Sequence, residues 1–209
     1  MRPYKRTIET IPLDGGWLCL DFINTTGDRF KEPLKCYLPT NDDVLKWAKR
    51  LKLLSGKELS DIKVFNSEYP EAAEKAHKKV INIRETLYQL FSAIANDLPP
   101  SVSVLKKFNK YLSETFDNLK LVVDKNRVVK EDWQRDNNGM HQFQLHIIRS
   151  AYELLKSDLL LTLKECEKCG WLFLDRSKNK SRKWCSMEAC GSSEKSKKYY
   201  RKMKKGQRP

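Results

Sequence analysis

Cys166-Glu167-Lys168-Cys169-Gly170-Trp171-Leu172-Phe173-Leu174-Asp175 enters a basic turn and returns at Lys183-Trp184-Cys185-Ser186-Met187-Glu188-Ala189-Cys190. Four of the chain's six cysteines fall here, spaced C-x2-C-x15-C-x4-C. Two close pairs separated by about 15–20 residues are the pattern of a zinc site. Zn²⁺ takes four tetrahedral ligands with Zn–S near 2.3 Å, and a C-x2-C turn brings two thiolates to one ion. Four thiolates leave no open coordination position, so Cys166, Cys169, Cys185 and Cys190 predict one structural Zn²⁺ per chain. Gly170 suits the φ > 0 of such a knuckle and lets backbone N–H groups face the sulfurs. Trp171 to Leu174 reads as a short strand, Asp175 to Arg182 as a polar turn, and Lys183 to Cys185 as the returning strand. From about Ser186, and at least from Ser193 to Met203, the pattern is helical. Knuckle, hairpin and helix in that order predict a treble-clef-like module. Disulfides would need an oxidising compartment, and a redox C-x2-C would open a helix within a βαβ unit. Cys19, inside Trp17-Leu18-Cys19-Leu20, reads as a small buried hydrophobe, and Cys36 carries no signal.

The charge has the same focus. The 209 residues carry 41 Lys+Arg against 27 Asp+Glu, a net of +14. Residues 164–209 hold 15 of the basic and 5 of the acidic groups, so +10 sits in the last fifth and +4 in the rest. A zinc ion with four thiolates contributes −2, which trims this excess without cancelling it. So basic a segment predicts an acidic partner, nucleic acid before a membrane surface. Arg176, Lys178, Lys180, Arg182 and Lys183 crowd the turn between the cysteine pairs. Lys195, Lys198 and Arg201 follow on the last helix beside Tyr199 and Tyr200, with Lys198, Arg201 and Lys205 on one stripe. A rigid metal core presenting these cations suits phosphate contact. No apolar run approaches the ~18–20 residues of a membrane helix. Met1-Arg2-Pro3-Tyr4-Lys5-Arg6 is not followed by an apolar leader segment, so a cytoplasmic protein is expected.

The run from Cys166 to Gly191 resembles the CGNR zinc finger of bacterial transcription regulators. The C-x2-C-G knuckle, Phe173, Asp175-Arg176-Ser177, Asn179, Ser181-Arg182, Trp184, Cys185-Ser186-Met187 and Cys190-Gly191 fall in its register, over about 166–201. One departure touches the contact surface. The Asn-Arg that names the family is replaced here by Ser192-Ser193, which leaves the metal ligands intact and removes an asparagine–arginine contact from the start of the last helix.

Residues 1–163 read as a separate, mostly helical unit. Trp17 to Ile23 is an apolar run, strand or buried helix. Asn41-Asp42-Asp43 opens a helix to about Leu54, with Gly56 as its stop. A second helix spans Ser60 to Ser67. Pro70 opens a long one to about Asn96, with Ala73, Ala76, Val80, Ile83, Leu87, Leu90, Phe91 and Ile94 on one face. Pro99-Pro100 breaks the chain before a helix over Ser101 to Ser113. Leu119 to Val123 and Val128 to Glu131 read as a hairpin. Met140 to Leu161 is the last helix. The stretch Leu20-Asp21-Phe22-Ile23-Asn24-Thr25 with Arg29 resembles the opening motif of the ABATE domain, which accompanies the CGNR finger in the same regulators. That resemblance implies a ligand-sensing domain, with Asp21, Asn24 and Arg29 as candidates for lining its pocket and orienting a polar small molecule.

The chain is therefore expected to be α+β and mostly α. A helical domain with a small β-hairpin occupies 1–163, and a treble-clef-like zinc module with a basic C-terminal helix occupies 164–209. No H-E-x-x-H, phosphate loop or G-x-S-x-G is present, and the three histidines share no metal spacing, which argues against an enzyme. The expected function is transcription regulation, with DNA bound by the finger and a small-molecule effector bound by the helical domain. RNA is the rival partner, its stacking surfaces drawn from Trp171, Phe173, Trp184, Tyr199 and Tyr200, of which the first three are expected to pack the zinc-module core instead. An enzyme or an adaptor with a structural finger is the other alternative. A homodimer would enlarge a finger's small footprint; the sequence leaves oligomeric state open.

Overall fold

Trp17 to Ile23 resolves as a short helix, α1 (Leu18–Ile23), around which the rest is packed. The computed structural model describes residues 6–133, 140–193 and 196. In chain order α1 is followed by α2 (Asn41–Arg50), α3 (Gly56–Glu68), α4 (Pro70–Ala95) and α5 (Val102–Phe116). Then come a ribbon of β1 (Leu119–Val123) and β2 (Val129–Trp133), α6 (His141–Leu155), and a 3-10 turn over Asp158–Thr162. The last elements are strands β3 (Leu163–Glu165) and β4 (Leu172–Leu174) and a π-helical turn over Met187–Gly191. The fold is α+β and mostly helical, as expected.

Helix starts follow capping chemistry, in places one step away from the expected residue. Thr40, not Asn41, caps α2, its Oγ1 accepting from Asp43 N at 3.3 Å. Gly56 does not end α2 but opens α3. Ser55 and Glu58 form a reciprocal capping box there, Glu58 N to Ser55 Oγ at 3.2 Å and Ser55 N to Glu58 Oε2 at 2.7 Å. Pro70 stands at the first turn of α4, where its missing N–H costs nothing. Ser101 caps α5 through Val104 N.

The core is built on α1. Cys19, Leu20, Phe22 and Ile23 are fully buried against α4 and α6. Six residues cannot hold a helix by themselves. Ser150 of α6 supplies the missing N-terminal cap, its Oγ accepting from Cys19 N at 3.1 Å and its carbonyl from Trp17 Nε1 at 2.8 Å. Phe22, Trp47 and Phe143 meet edge-on or tilted with ring centroids 5.5–5.9 Å apart, an arrangement favoured by the ring quadrupoles.

The finger strands are part of this core. The expected hairpin between Trp171–Leu174 and Lys183–Cys185 does not form. Instead β4 pairs antiparallel with β3, Leu163 opposite Leu174 and Glu165 opposite Leu172, so the C-x2-C knuckle is itself the hairpin turn. Lys183 to Cys185 has no strand structure. The reason is burial: β4 carries Leu172, Phe173 and Leu174 under α1 and α4, and β3 lies on α4. Trp171, Leu172, Phe173 and the four zinc-site cysteines belong to the same buried cluster as Phe22, Trp47 and Phe91. Each such large side chain contributes about 1.5–3 kcal/mol. The 163/164 junction falls inside β3. No described helix is long and apolar enough to cross a membrane.

A candidate metal centre and its basic loop

Cys166 and Cys169 leave the end of β3 and turn through Gly170, whose φ is +69°. A Cβ there would sit 3.0 Å from Arg29 Cβ, so the close approach and the backbone both favour glycine. Cys185 lies in a bend at the end of the irregular loop, and Cys190 lies on the π-helical turn, where Cys190 N and Gly191 N both donate to Ser186 O. The four Sγ atoms lie within 4.8 Å of one another. Cys169–Cys185 is 3.7 Å, Cys185–Cys190 3.8 Å and Cys169–Cys190 3.6 Å. A tetrahedron of sulfurs about 2.3 Å from an ion has edges of about 3.8 Å, whereas a disulfide is about 2.05 Å. The residues fit one structural zinc ion and no disulfide. Backbone N–H groups of Cys185 and Trp171 reach the sulfurs of Cys166 and Cys169, the knuckle pattern expected from Gly170. Contact with the neighbouring thiols pushes those of Cys169 and Cys185 up; a bound cation reverses this by replacing the protons.

Between the pairs runs the basic loop, and Asp175 organises it. Its carboxylate is fully buried and accepts from Ser177 N (3.0 Å), Ser177 Oγ (2.6 Å), Arg182 N (2.8 Å) and Lys164 Nζ (3.0 Å). Burial opposes its charge, but these donors hold the carboxyl well below the usual carboxylate range. Lys164 also donates to the carbonyls of Lys180 and Arg182. The five expected contact residues then divide. Arg176, Lys178 and Lys180 are exposed; Arg176 gives one Nη2–H bond to Gly16 O at 3.1 Å. Arg182 turns inward, stacks over Phe173 at 4.9 Å and donates to Trp184 O and Cys185 O. Lys183 pairs at the surface with Glu167 at 2.9 Å. Lys195, Lys198 and Arg201 lie outside the described residues, as do Tyr199 and Tyr200. At the family's Asn-Arg position, Ser192 Oγ donates to Met187 O and backs the π-helical turn.

Asp21, Asn24 and Arg29 are engaged with the chain itself. Asn24 is buried and reads the backbone of Leu172 in both directions, Nδ2 to O at 2.8 Å and N to Oδ1 at 3.0 Å. Arg29 N donates to Cys169 O at 2.9 Å. Its guanidinium stacks on Tyr88 at 3.6 Å, bonds Ile23 O and pairs with Glu85 at 2.9 Å. Asp21 accepts from Gly15 N at 2.8 Å, and Gly15 O in turn accepts from Leu174 N. Burial pushes the Asp21 carboxyl up to about 7, against the Gly15 bond that favours its charge. All three residues tie the first helix to the finger.

A polar stripe on α4 completes that tie, and sequence reasoning missed it. Glu85, Tyr88, Ser92 and Asn96 recur at i, i+3, i+7 and i+11, one helical face. Tyr88 Oη, Ser92 Oγ and Asn96 Nδ2 all donate to Glu165, at 2.8, 2.7 and 2.7 Å, one residue before the first zinc ligand. Burial and the bond to Glu165 push the Tyr88 phenol up to about 12. Burial works against the Glu85 charge, but Arg29 and Arg84 hold its carboxyl below the ordinary value. The second face of α4 was legible in that spacing; its partner strand was not.

On another side, α4 and α5 border a cleft of about 910 Å³ lined in part by Lys75, Lys79, Lys110, Tyr111 and Gln144. Compared with known protein families, residues 16–158 match ABATE, described as "Putative stress-induced transcription regulator", and residues 162–203 match the CGNR zinc finger. No curated protein matches the chain.

Proposed function

The chain belongs to the ABATE family, and from that membership we propose that it is a transcription regulator that binds duplex DNA through its zinc module. The observation that carries this reading is the outward set of Arg176, Lys178 and Lys180. They stand on a loop locked by Asp175 and Lys164 beside the zinc knuckle. Cations on a pre-formed loop contact phosphates at little ordering cost. The sequence adds Lys195, Lys198 and Arg201 on the segment that follows, as further phosphate contacts. Arg182 and Lys183 serve the loop's own structure.

RNA is the weaker partner. Recognition of unpaired bases needs exposed aromatic faces. Trp171 and Phe173 are fully buried in the core, and Trp171 Nε1 donates to Thr26 O and Gly27 O.

We infer further that an effector acts through the helical domain. The cleft beside α4 and α5 falls in the volume range of small-molecule sites, roughly 300–1,000 Å³. The same helix α4 carries the stripe that grips Glu165 at the knuckle. A ligand that shifts α4 would thus change how the finger is held, which is the differential contact allostery requires. Asp21, Asn24 and Arg29 belong to this coupling.

The reading is tested by presenting zinc-loaded protein with genomic duplex fragments and single-stranded RNA together, at two salt concentrations. Retention of a few duplex fragments at the higher salt is expected. Preference for RNA, or binding that vanishes for every sequence as salt rises, would refute it.

A further inference from the structure

The β1–β2 ribbon is the one β element whose apolar face stays in water among the described residues. Leu121, Val123 and Val129 are 65%, 63% and 60% exposed. In the antiparallel register Leu121 stands opposite Glu131 and Val123 opposite Val129, so these apolar residues share a face. Glu131 pairs with Arg149, which holds the ribbon against α6. Among the described residues the outer edge of β1 has no strand partner. A lone two-stranded ribbon is marginally stable in water, and a long apolar edge with free backbone groups is a template for pairing.

We propose that this ribbon is a self-association surface, and that its occupant is the β1 strand of a second copy of this chain. Three observations favour a second copy. First, the chain's own segments outside the described residues are unsuited to cover it. Residues 134–139 (Gln-Arg-Asp-Asn-Asn-Gly) have no apolar side chain, residues 1–5 offer only Met1, Pro3 and Tyr4 with Arg2 and Lys5 between and beside them, and residues 194–209 offer Tyr199, Tyr200 and Met203 among eight Lys/Arg. Second, residues 119–133 carry four basic and three acidic groups, a net of +1 in a chain of +14. Two copies meet here without the repulsion they feel elsewhere, and nucleic acid is not drawn to it. Third, β1 is self-complementary. About a two-fold axis at Leu121, antiparallel pairing sets Leu121 against its own copy, Leu119 against Val123 and Lys120 against Val122, so no like charges face each other. The result is a four-stranded sheet in the order β2-β1-β1-β2.

A stable interface draws roughly 20–30 residues a side. Two five-residue strands supply fewer, so the pair is a weak, concentration-dependent one. The inference does not depend on what the basic loop binds.

Sedimentation of the full, zinc-loaded chain across a concentration series tests it. A monomer–dimer equilibrium is expected, weakened more than tenfold by Leu121→Glu, an exposed substitution checked for retained zinc and helicity. A second variant places a benzoylphenylalanine photo-crosslinker at position 121 or, as control, at the still more exposed Leu161. Crosslinking to a doubled mass from 121 and not from 161 is expected. A monomer at all concentrations, a dimer indifferent to Leu121→Glu, open-ended growth, or crosslinking from 161 alone would each overturn the proposal.

Discussion

Asn24→Ala should cost far more than an ordinary polar deletion, because Asn24 clamps the finger strand to the helical core. Its amide satisfies both the N–H and the C=O of Leu172, at 3.0 and 2.8 Å, in a place that water does not reach. Alanine leaves both backbone groups buried and orphaned. Each orphan costs about 1–3 kcal/mol, so the loss is about 2–6 kcal/mol. Against a total stability of about 5–15 kcal/mol this is at least about an eighth, and for a marginally stable chain most of it. Leu172 sits between the two halves of the metal site in sequence, so the loss also appears in metal affinity. A shift of 1.4 kcal/mol is tenfold, which predicts at least a tenfold weaker hold on zinc. The assays are urea unfolding of the zinc-loaded protein and zinc competition with a chelator of known affinity. Loss below 1 kcal/mol with unchanged zinc affinity would refute the clamp. Loss of stability with zinc affinity intact would show that the strand and the metal site fold separately.

Three other outcomes follow from the same contacts. Chelation of zinc should unfold the helical core together with the finger, changing the near-ultraviolet signal of Trp47 as well as Trp171, since both lie in one buried cluster; a native Trp47 environment without metal would contradict this. Gly170→Ala should weaken zinc binding by about 1–3 kcal/mol, through strain at φ +69° and the 3.0 Å approach to Arg29 Cβ, read in the same chelator competition. Asp21→Asn should stabilise the protein at pH 8 and change little at pH 4. The native carboxyl is raised to about 7 by burial, so the folded state holds a proton that the unfolded state releases near 4. Its stabilisation is complete below about pH 4 and is lost as pH rises to 7, by at most about 4 kcal/mol. Melting temperatures of the two proteins that run parallel from pH 4 to 8 would show that Asp21 is not buried in this way.

The zinc site was legible because cysteine spacing and tetrahedral geometry constrain each other, and Gly170 could be placed at positive φ from the knuckle alone. The helices were legible in their apolar periods and caps, from Pro70 and Ser101 in particular. What sequence could not show was pairing at a distance. β4 takes β3 as its partner and lies under α1, a choice decided by burial of Leu172 and Phe173 and not by any local turn signal. Asp21, Asn24 and Arg29 were ligand candidates through the family resemblance; the groups they bond in the fold, Gly15, Leu172, Glu85 and Tyr88, were not legible for the same reason. Arg182 shows the converse limit: charge density marked the loop, but only Asp175 and the ring of Phe173 distinguish an inward arginine from the outward Arg176, Lys178 and Lys180. The Asp175-x-Ser177 turn was a usable signal of that brace.

The central claim is that the finger's loop holds DNA by its outward cations. The most direct measurement is the salt dependence of duplex binding by the zinc-loaded chain and by the variant Arg176→Gln, Lys178→Gln, Lys180→Gln. Each lost phosphate contact lowers the slope of log K against log salt by about 0.9, so the variant's slope should fall by about 2.7 with zinc content unchanged. An unchanged slope in a folded, zinc-loaded variant would contradict the account.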